Sequence, residues 1–277
     1  MIKVAFQGER GAYSEAAAIA YFGAQLEPVA CTTFDDVFNR VLSGDCENGI
    51  VPIENTLAGS IHRNYDLLQR HPLAIIGEKI FRVRHCLVAH PGVVLADIRK
   101  IISHPQALAQ CEGYITRLGV AHEPWYDTAG AVKSLSEGGQ RDHAAIASRR
   151  AAEVYQMHIL AADIEDDDAN YTRFLVLARD GQRPGGAAVK TSIVFSLPRG
   201  GTTPGALFRA LAVFALRDIN LNKIESRPIA GQTFQYVFYL DFDGSSESEP
   251  CARALAHLRE LTPDLRVLGS YPRDENW

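Results

Sequence analysis

Residues 2–14, IKVAFQGERGAYS, carry the reading on which the fold class turns. Residues 2–6 read as a buried strand. Gly8 and Gly11 form a turn, and an Ala-rich helix follows from about Ser14 to Phe22. Strand, glycine turn and helix begin an α/β unit. A short strand spans about 27–31. Thr33 and Asp36 then make a capping-box-like start for a helix with Val37, Phe38, Val41 and Leu42 on one side. NGIVPIEN (48–55) supplies another short strand, ended by Pro52. This alternation predicts a mostly parallel sheet flanked by helices.

The pattern restarts further along. Residues 73–90 give two strand-like runs with charged punctuation. A strand follows, then a helix with Pro105 in its first turn and Gly119 just past its end. Another helix opens at Thr128 and stops at Gly138-Gly139. HAAIAS is a short strand, a helix runs from about Arg149 to Tyr155, and an acidic loop leads into a strand at 171–178. Two α/β lobes joined by chain crossings place a cleft between them. Gly and Pro concentrate in 181–190, which reads as a linker. Beyond it the order is β-α-β-β-α-β, the ferredoxin-like sandwich, with a turn around Ala230-Gly231. The expected domains are 1–180 and 191–277.

Composition bounds the function. Hydrophobic residues make up 47% and charged residues 22%, the balance of a soluble globular chain. The net charge of −5 offers no basic field for nucleic acid or an anionic membrane. Five cysteines (31, 46, 86, 111, 251) are scattered, with no C-x-x-C pair, which predicts reduced, mostly buried thiols. Met1 leads straight into a strand, and no run approaches the ~18 apolar residues of a spanning helix. A cytoplasmic protein is expected.

Three stretches place polar groups where a strand's carboxyl end meets a helix N-terminus, the position at which open α/β sheets bind ligands. The Gly8/Gly11 turn either cradles an anion or is a tight turn with nothing bound. Asn55, Thr56 and Ser60 either cap the next helix or face a ligand. Ser103 or His104 caps the helix that follows, or serves a site. The nine histidines include no H-x-x-x-H, and the 165–168 acidic run lacks the spacing of a calcium loop, so no metal is expected. No G-x-S-x-G elbow is present.

GERGAYSE, VPIENTLAGS, SHPQALAQC, YDTAGAV, AAIASRRAAEVY and NYTRF, in that order, resemble the motif set of prephenate dehydratases. GALFRALAVFALRDINLNKIESRP (205–228) resembles the phenylalanine-responsive ACT domain that follows in that family. The resemblance implies a two-lobed, periplasmic-binding-protein-like dehydratase domain and a ferredoxin-like ACT domain. With no mutase-like helical segment and no dehydrogenase attached, it implies the monofunctional form. The implied reaction removes water and carbon dioxide from prephenate to give phenylpyruvate, a step of L-phenylalanine biosynthesis, without metal or cofactor.

The implied essential residue is Thr172 of TRF. A threonine hydroxyl is a very weak acid, so a hydrogen bond to the departing hydroxyl is the expected role, with proton donation left open. Arg173 is expected to offer a bidentate fork to a substrate carboxylate, and Phe174 to line the ring pocket. Ser14, Asn55, Thr56, Ser103, Gln106 and Asn170 are carried over as substrate-binding. His104 is either a general base or a cap. In the ACT domain, Gly205, Ala206, Leu207, Asn220, Leu221, Glu225, Ser226 and Arg227 are the implied phenylalanine-binding residues. Asn222 stands where many relatives have threonine. A homodimer or homotetramer is implied. The rivals are an arogenate dehydratase, releasing phenylalanine directly, and a non-catalytic small-molecule sensor.

Overall fold

The computed structural model describes residues 1–181, 189–198, 203–229 and 231–275. The opening stretch forms β1 (Ile2–Gln7) and α1 (Tyr13–Phe22). β2 (Leu26–Cys31), α2 (Phe34–Ser43), β3 (Asn48–Asn55), β4 (Gly59–Ser60), α3 (His62–Arg70) and β5 (Ala74–Arg82) complete the first run. The capping box forms at Thr33: its hydroxyl accepts from Asp36 N, and the Asp36 carboxylate accepts from Thr33 N. Leu42, expected on the apolar side of α2, is exposed.

The chain then crosses into a second lobe. Its strands are β6 (Cys86–Ala89), β7 (Lys100–Ser103), β8 (Ala121–Pro124), β9 (His143–Ala147) and β10 (His158–Ala162). Its helices are α4 (Pro105–Gln110), α5 (Glu112–Leu118), α6 (Thr128–Gly138) and α7 (Arg149–Val154). The chain returns, and β11 (Tyr171–Ala178) inserts between β3 and β5, antiparallel to both. Strand orders are β2-β1-β3-β11-β5 in the first lobe and β10-β6-β9-β7-β8 in the second. Two crossings, at 83–85 and 163–170, join the lobes.

Three expectations are corrected here. The sheets are mixed, not mostly parallel: β1 runs parallel to β2 and β3, and β7 to β8 and β9, but β6, β10 and β11 are antiparallel to their neighbours. A strand delivered by a lobe crossing need not enter in the direction a βαβ connection imposes. β4, β8 and β10 had no counterpart in the sequence pattern. The helix expected over 105–118 breaks at Cys111 (φ −122, ψ 21) into α4 and α5.

The C-terminal unit is β12 (Val189–Ser196), α8 (Ala206–Ala215), β13 (Leu221–Pro228), β14 (Tyr236–Asp243), α9 (Glu249–Leu261) and β15 (Leu265–Pro272). These give an antiparallel sheet of order β13-β14-β12-β15. Of the expected linker, 182–188 lie outside the described residues, and Val189 and Lys190 already belong to β12. The expected turn at 230–231 lies outside them at Ala230; Gly231 has φ +78.

One face of this sheet packs its helices, with Phe195, Phe214, Phe242 and Leu258 at the core. The other face stacks on the first lobe, where Val194, Val237, Tyr239 and Leu268 meet Val51, Ile53, Ile75 and Leu175. Gly269 lies against the backbone of Ile75, with no room for a Cβ. Within this interface a buried ion cluster closes. Arg173 Nε lies 2.7 Å from Glu78 Oε2, and Arg173 Nη1 lies 2.7 Å from Asp241 Oδ2. Lys190 Nζ donates to both Glu78 oxygens at 3.0 Å, and Ser192 Oγ donates to Asp241 Oδ1 at 2.5 Å. Burial pushes the Asp241 carboxyl up, but Arg173, Ser192 and Lys190 outweigh it and hold it below its ordinary value.

Removing one member of such a cluster strands a buried charge. Asp241→Ala is therefore expected to cost about 3–5 kcal/mol in urea unfolding at pH 7. Because the folded carboxyl titrates below its ordinary value, its contribution is lost as pH falls, so the gap between parent and variant narrows below about pH 4. A variant as stable as the parent at pH 7 would refute this.

Candidate active site

A cleft of about 450 Å³ lies between the two lobes. The first lobe contributes Gln7 at the end of β1, Ala12, Tyr13 and Ser14 at the start of α1, Phe34, Pro52, Asn55 and Ile61. Thr172 and Phe174 of β11 complete that wall, both buried. They share a face because they are two residues apart on a strand. The second lobe contributes His104, Gln106, Ala107 and Gln110 of the β7–α4 region, and Asp127 and Thr128 at the start of α6. Val83 and His85 of the crossing form the back.

Thr172 is held by Asn55. Asn55 Nδ2 lies 3.0 Å from Thr172 Oγ1, 2.8 Å from Asn170 Oδ1 and 3.1 Å from Tyr171 O. Asn55 Oδ1 accepts from Leu57 N and Ala58 N at 3.1 and 2.9 Å. Two N–H donors on one end and three acceptors at the other fix which way the amide points. Thr172 Oγ1 is therefore an acceptor toward Asn55, and its own proton is free to be donated into the cleft. Asn170 and Thr56 support this arrangement from outside the cleft lining. Thr56 Oγ1 donates to Ala169 O (2.7 Å) and accepts from Tyr171 N (2.9 Å), tying the turn after β3 to the start of β11.

The back of the cleft is built on a buried histidine. His85 Nδ1 lies 2.8 Å from Tyr13 Oη, and Nε2 lies 2.9 Å from Gln110 Oε1. Tyr13 Oη also lies 2.9 Å from Arg84 O, but its single proton serves one acceptor at a time, and with Nε2–H donating to Gln110 Oε1 a neutral imidazole takes it at Nδ1. Burial pushes the His85 imidazole down and the Tyr13 phenol up, so both are neutral at pH 7. Asp127 caps α6, accepting from Gly130 N at 2.8 Å; burial pushes its carboxyl up, partly offset by the Gly130 and Ala129 N–H groups.

Among the described residues lining the cleft, Asp127 is the one carboxyl and there is no Arg or Lys. An anionic ligand must then rely on neutral donors and helix starts. Ala12 caps α1 without a side-chain bond, so the first-turn N–H groups remain to serve an anion beside Ser14. The glycine turn before it is also a lobe contact: Gly11 (φ +89) packs on Ala151 of α7, and its carbonyl accepts from Ser148 Oγ at 2.6 Å.

The structure sorts the sequence candidates. Ser14, Asn55, His104, Gln106, Thr172 and Phe174 line the cleft. His104 is a cap, its Nδ1 accepting from Gln106 N at 3.2 Å. Ser103 is corrected: it is fully buried and donates to Ile146 O at 2.6 Å inside the second sheet. Arg173 is corrected as well. Strand alternation turns it away from Thr172 into the ion cluster, so it offers no fork to the cleft. Tyr13, Gln110, Asp127 and Thr128 were missed, although each lies inside a recognised motif; Gln110 is one helical turn from Gln106. Nothing in the local pattern marks His85.

A second pocket, about 460 Å³, lies in the C-terminal unit against Gly205, Ala206, Leu207, Phe208, Phe234, Tyr236 and Phe238. Of the other effector candidates, Asn220 donates to Asp243 Oδ2 at 3.0 Å, and Leu221 lies in β13 outside the pocket lining. Glu225 and Arg227 turn toward the first lobe, a correction, while Ser226 faces the opposite side and is exposed.

A sequence model of the prephenate dehydratase family matches residues 4–182. The chain belongs to the prephenate dehydratase family. An arogenate dehydratase/prephenate dehydratase of Arabidopsis thaliana is 52% identical over 99% of this chain and 73% of its own. A prephenate dehydratase of Arthrobacter aurescens, solved with L-Phe, has TM-score 0.91 and 34% identity over 100% of this chain and 91% of its own. A structure described as a novel type of quorum quenching acylase, GqqA, has TM-score 0.91 and 36% identity over 99% and 98%. In this dehydratase-family chain, then, Thr172 and Phe174 of the NYTRF motif meet residues of the other motifs at one cleft.

His85 gives a pH signature. Its folded pKa is depressed by burial, so it favours the fold at neutral pH and this contribution is lost as pH falls below about 6.5. Melting temperature against pH is expected to fall more steeply there for the parent than for His85→Asn. Parallel curves would show that His85 does not titrate with unfolding.

Proposed function

We propose that this dehydratase acts on prephenate, releasing phenylpyruvate, water and carbon dioxide. The Asn55–Thr172 pair carries the reading: it leaves one hydroxyl proton aimed into a cleft whose described lining has no cationic side chain. In the reaction the ring carboxylate's C–C bond breaks and its electron pair enters the ring. The ring C–O bond breaks at the opposite carbon, and the departing oxygen takes up one proton to leave as water. Thr172 donates the hydrogen bond that stabilises charge developing on that oxygen. Asp127, the one carboxyl among the described residues lining the cleft, is the group through which a proton from water is relayed. A carboxylate without a cation beside it is not anchored as an anion, and Phe174 and Pro52 give it an apolar wall.

Arogenate is the second reading. The Arabidopsis relative carries both names, and an ionised Asp127 would pair with the amino group that replaces the keto oxygen. The acylase description of GqqA finds less support: among the described residues the hydroxyl paired with His85 is the buried phenol of Tyr13, and Thr172 is bonded to Asn55 instead.

Feedback by L-phenylalanine belongs to the proposal. It is supported by the pocket at Gly205–Leu207 and by the L-Phe complex of the Arthrobacter protein. Exposed Phe208, Ile224 and Phe234 would suit a homodimer or homotetramer built through the C-terminal units. Five free, buried thiols fit a reducing compartment such as the cytoplasm.

Turnover of prephenate and arogenate, read by ring aromatisation, tests the substrate: prephenate is expected to give the higher kcat/KM, and turnover of arogenate alone would reverse the assignment. Thr172→Ala is expected to lower kcat by about 10²–10³ with KM within a few fold. Near-native kcat would remove Thr172 from the mechanism. Titration with L-phenylalanine is expected to release heat and lower the rate; no binding heat together with an unchanged rate would sink the feedback claim.

A further inference from the structure

Strand β13 is an edge strand, bonded to β14 alone. Its side chains alternate, and Lys223, Glu225 and Arg227 share the face that meets the first lobe. Arg227 grips Asp66 of α3 through Nε and Nη2 at 3.2 and 3.1 Å. Lys223 Nζ lies 3.0 Å from Glu54 Oε1. Glu225 takes the loop between them: Oε2 accepts from Ser60 Oγ at 2.6 Å, and Oε1 lies 3.3 Å from His62 Nε2.

The residue between Ser60 and His62 is Ile61, which lines the cleft. Ile61 occupies the N-cap of α3 without a side-chain capping bond. Its own amide donates to Ile53 O at 2.9 Å. Ser60 and Gly59 pair with Glu54 and Asn55, and Asn55 holds Thr172. Beyond this backbone pairing, the side chains of the loop are held from the other unit: Glu225 is the short contact, and Lys223 Nζ lies 3.4 Å from Ser60 Oγ. An uncapped helix start joined to a two-residue strand is a low-stability element that such an anchor can set.

We propose that Glu225 is a positioning residue of the cleft, holding the Ser60–His62 loop so that Ile61 and Asn55 stay in register with Thr172. A motif carried over as effector-binding thus acts on the substrate site directly, and a ligand that displaces β13 is felt at Ile61 chiefly through the Glu225 carboxylate, with Lys223 the longer contact on Ser60. The kinetic part rests on the dehydratase reading; the structural part does not.

Three variants and two readouts test it. Glu225→Ala is expected to raise KM about five- to tenfold with a smaller change in kcat, and to weaken inhibition by L-phenylalanine while leaving its binding heat intact. Glu225→Gln keeps an acceptor for Ser60 and should restore most of both. Ser60→Ala removes the same bond from the lobe side and should reproduce the KM rise. Hydrogen exchange at the Ile61 amide reads the loop without substrate, and should speed up in both alanine variants and stay at the parent rate in Glu225→Gln. Unchanged exchange at Ile61 in both alanine variants overturns the proposal. Loss of phenylalanine binding in Glu225→Ala with KM unchanged also overturns it, by making Glu225 an effector ligand. If the parent turns over neither prephenate nor arogenate, the functional reading falls, and the exchange rates still decide this one.

Discussion

Successive side chains of β11 point to opposite faces of the first sheet. Thr172 and Phe174 thereby reach the cleft, and Arg173 between them reaches the ion cluster beneath the C-terminal sheet. One backbone segment serves both. Arg173 is bound to Glu78 on β5 and Asp241 on β14, so the backbone that carries Thr172 is located by two sheets at once. Lys190 and Ser192 complete the satisfaction of Glu78 and Asp241. A cluster of this kind resists partial rearrangement, because moving one charge leaves its partner buried and unpaired. The C-terminal unit is thus part of the scaffold of the cleft.

The chemistry of the cleft follows from what its walls lack as much as from what they hold. Neutral donors line it, and the imidazole at its back and the phenol of α1 are neutral at pH 7 through burial. Such a site offers an anion N–H dipoles and hydroxyls, which orient without clamping charge. For a reaction that discards a carboxylate, a guanidinium clamp on that group would stabilise the ground state and raise the barrier. Arg173 turned outward fits this logic better than the inward fork that its place in the motif suggested.

Much of the fold was legible. The 2–22 unit, the capping box at Thr33, the α6 start at Thr128 and the βαββαβ order of the C-terminal unit all follow from local periodicity, caps and glycines. Sheet direction was not legible, because whether a strand pairs parallel or antiparallel depends on how the chain crosses between lobes. Nor was the break at Cys111, since the apolar spacing of Ala107, Cys111 and Ile115 continues through it. In the site, Asn55, Thr172 and Phe174 were found, while Ser103 and Arg173 were misplaced. Both stand beside cleft residues in the chain and point elsewhere in space. Glu225 and Arg227 failed in the same way, their strand face being set by a neighbouring lobe.

By itself, the amino-acid sequence determined the α/β class, the break in grammar near 180–190, the reduced thiols and the family motifs. These are properties of neighbouring residues, written in periods of 2 and 3.6 and in turn chemistry. Only the tertiary structure decided which side chain of each motif faces the cleft and which anchors one unit to another. It also brought His85 to Tyr13 and Gln110, and Glu225 to the loop beside Ile61. The physical reason is that a strand has two faces of equal local standing, and only packing against something distant makes one of them the site.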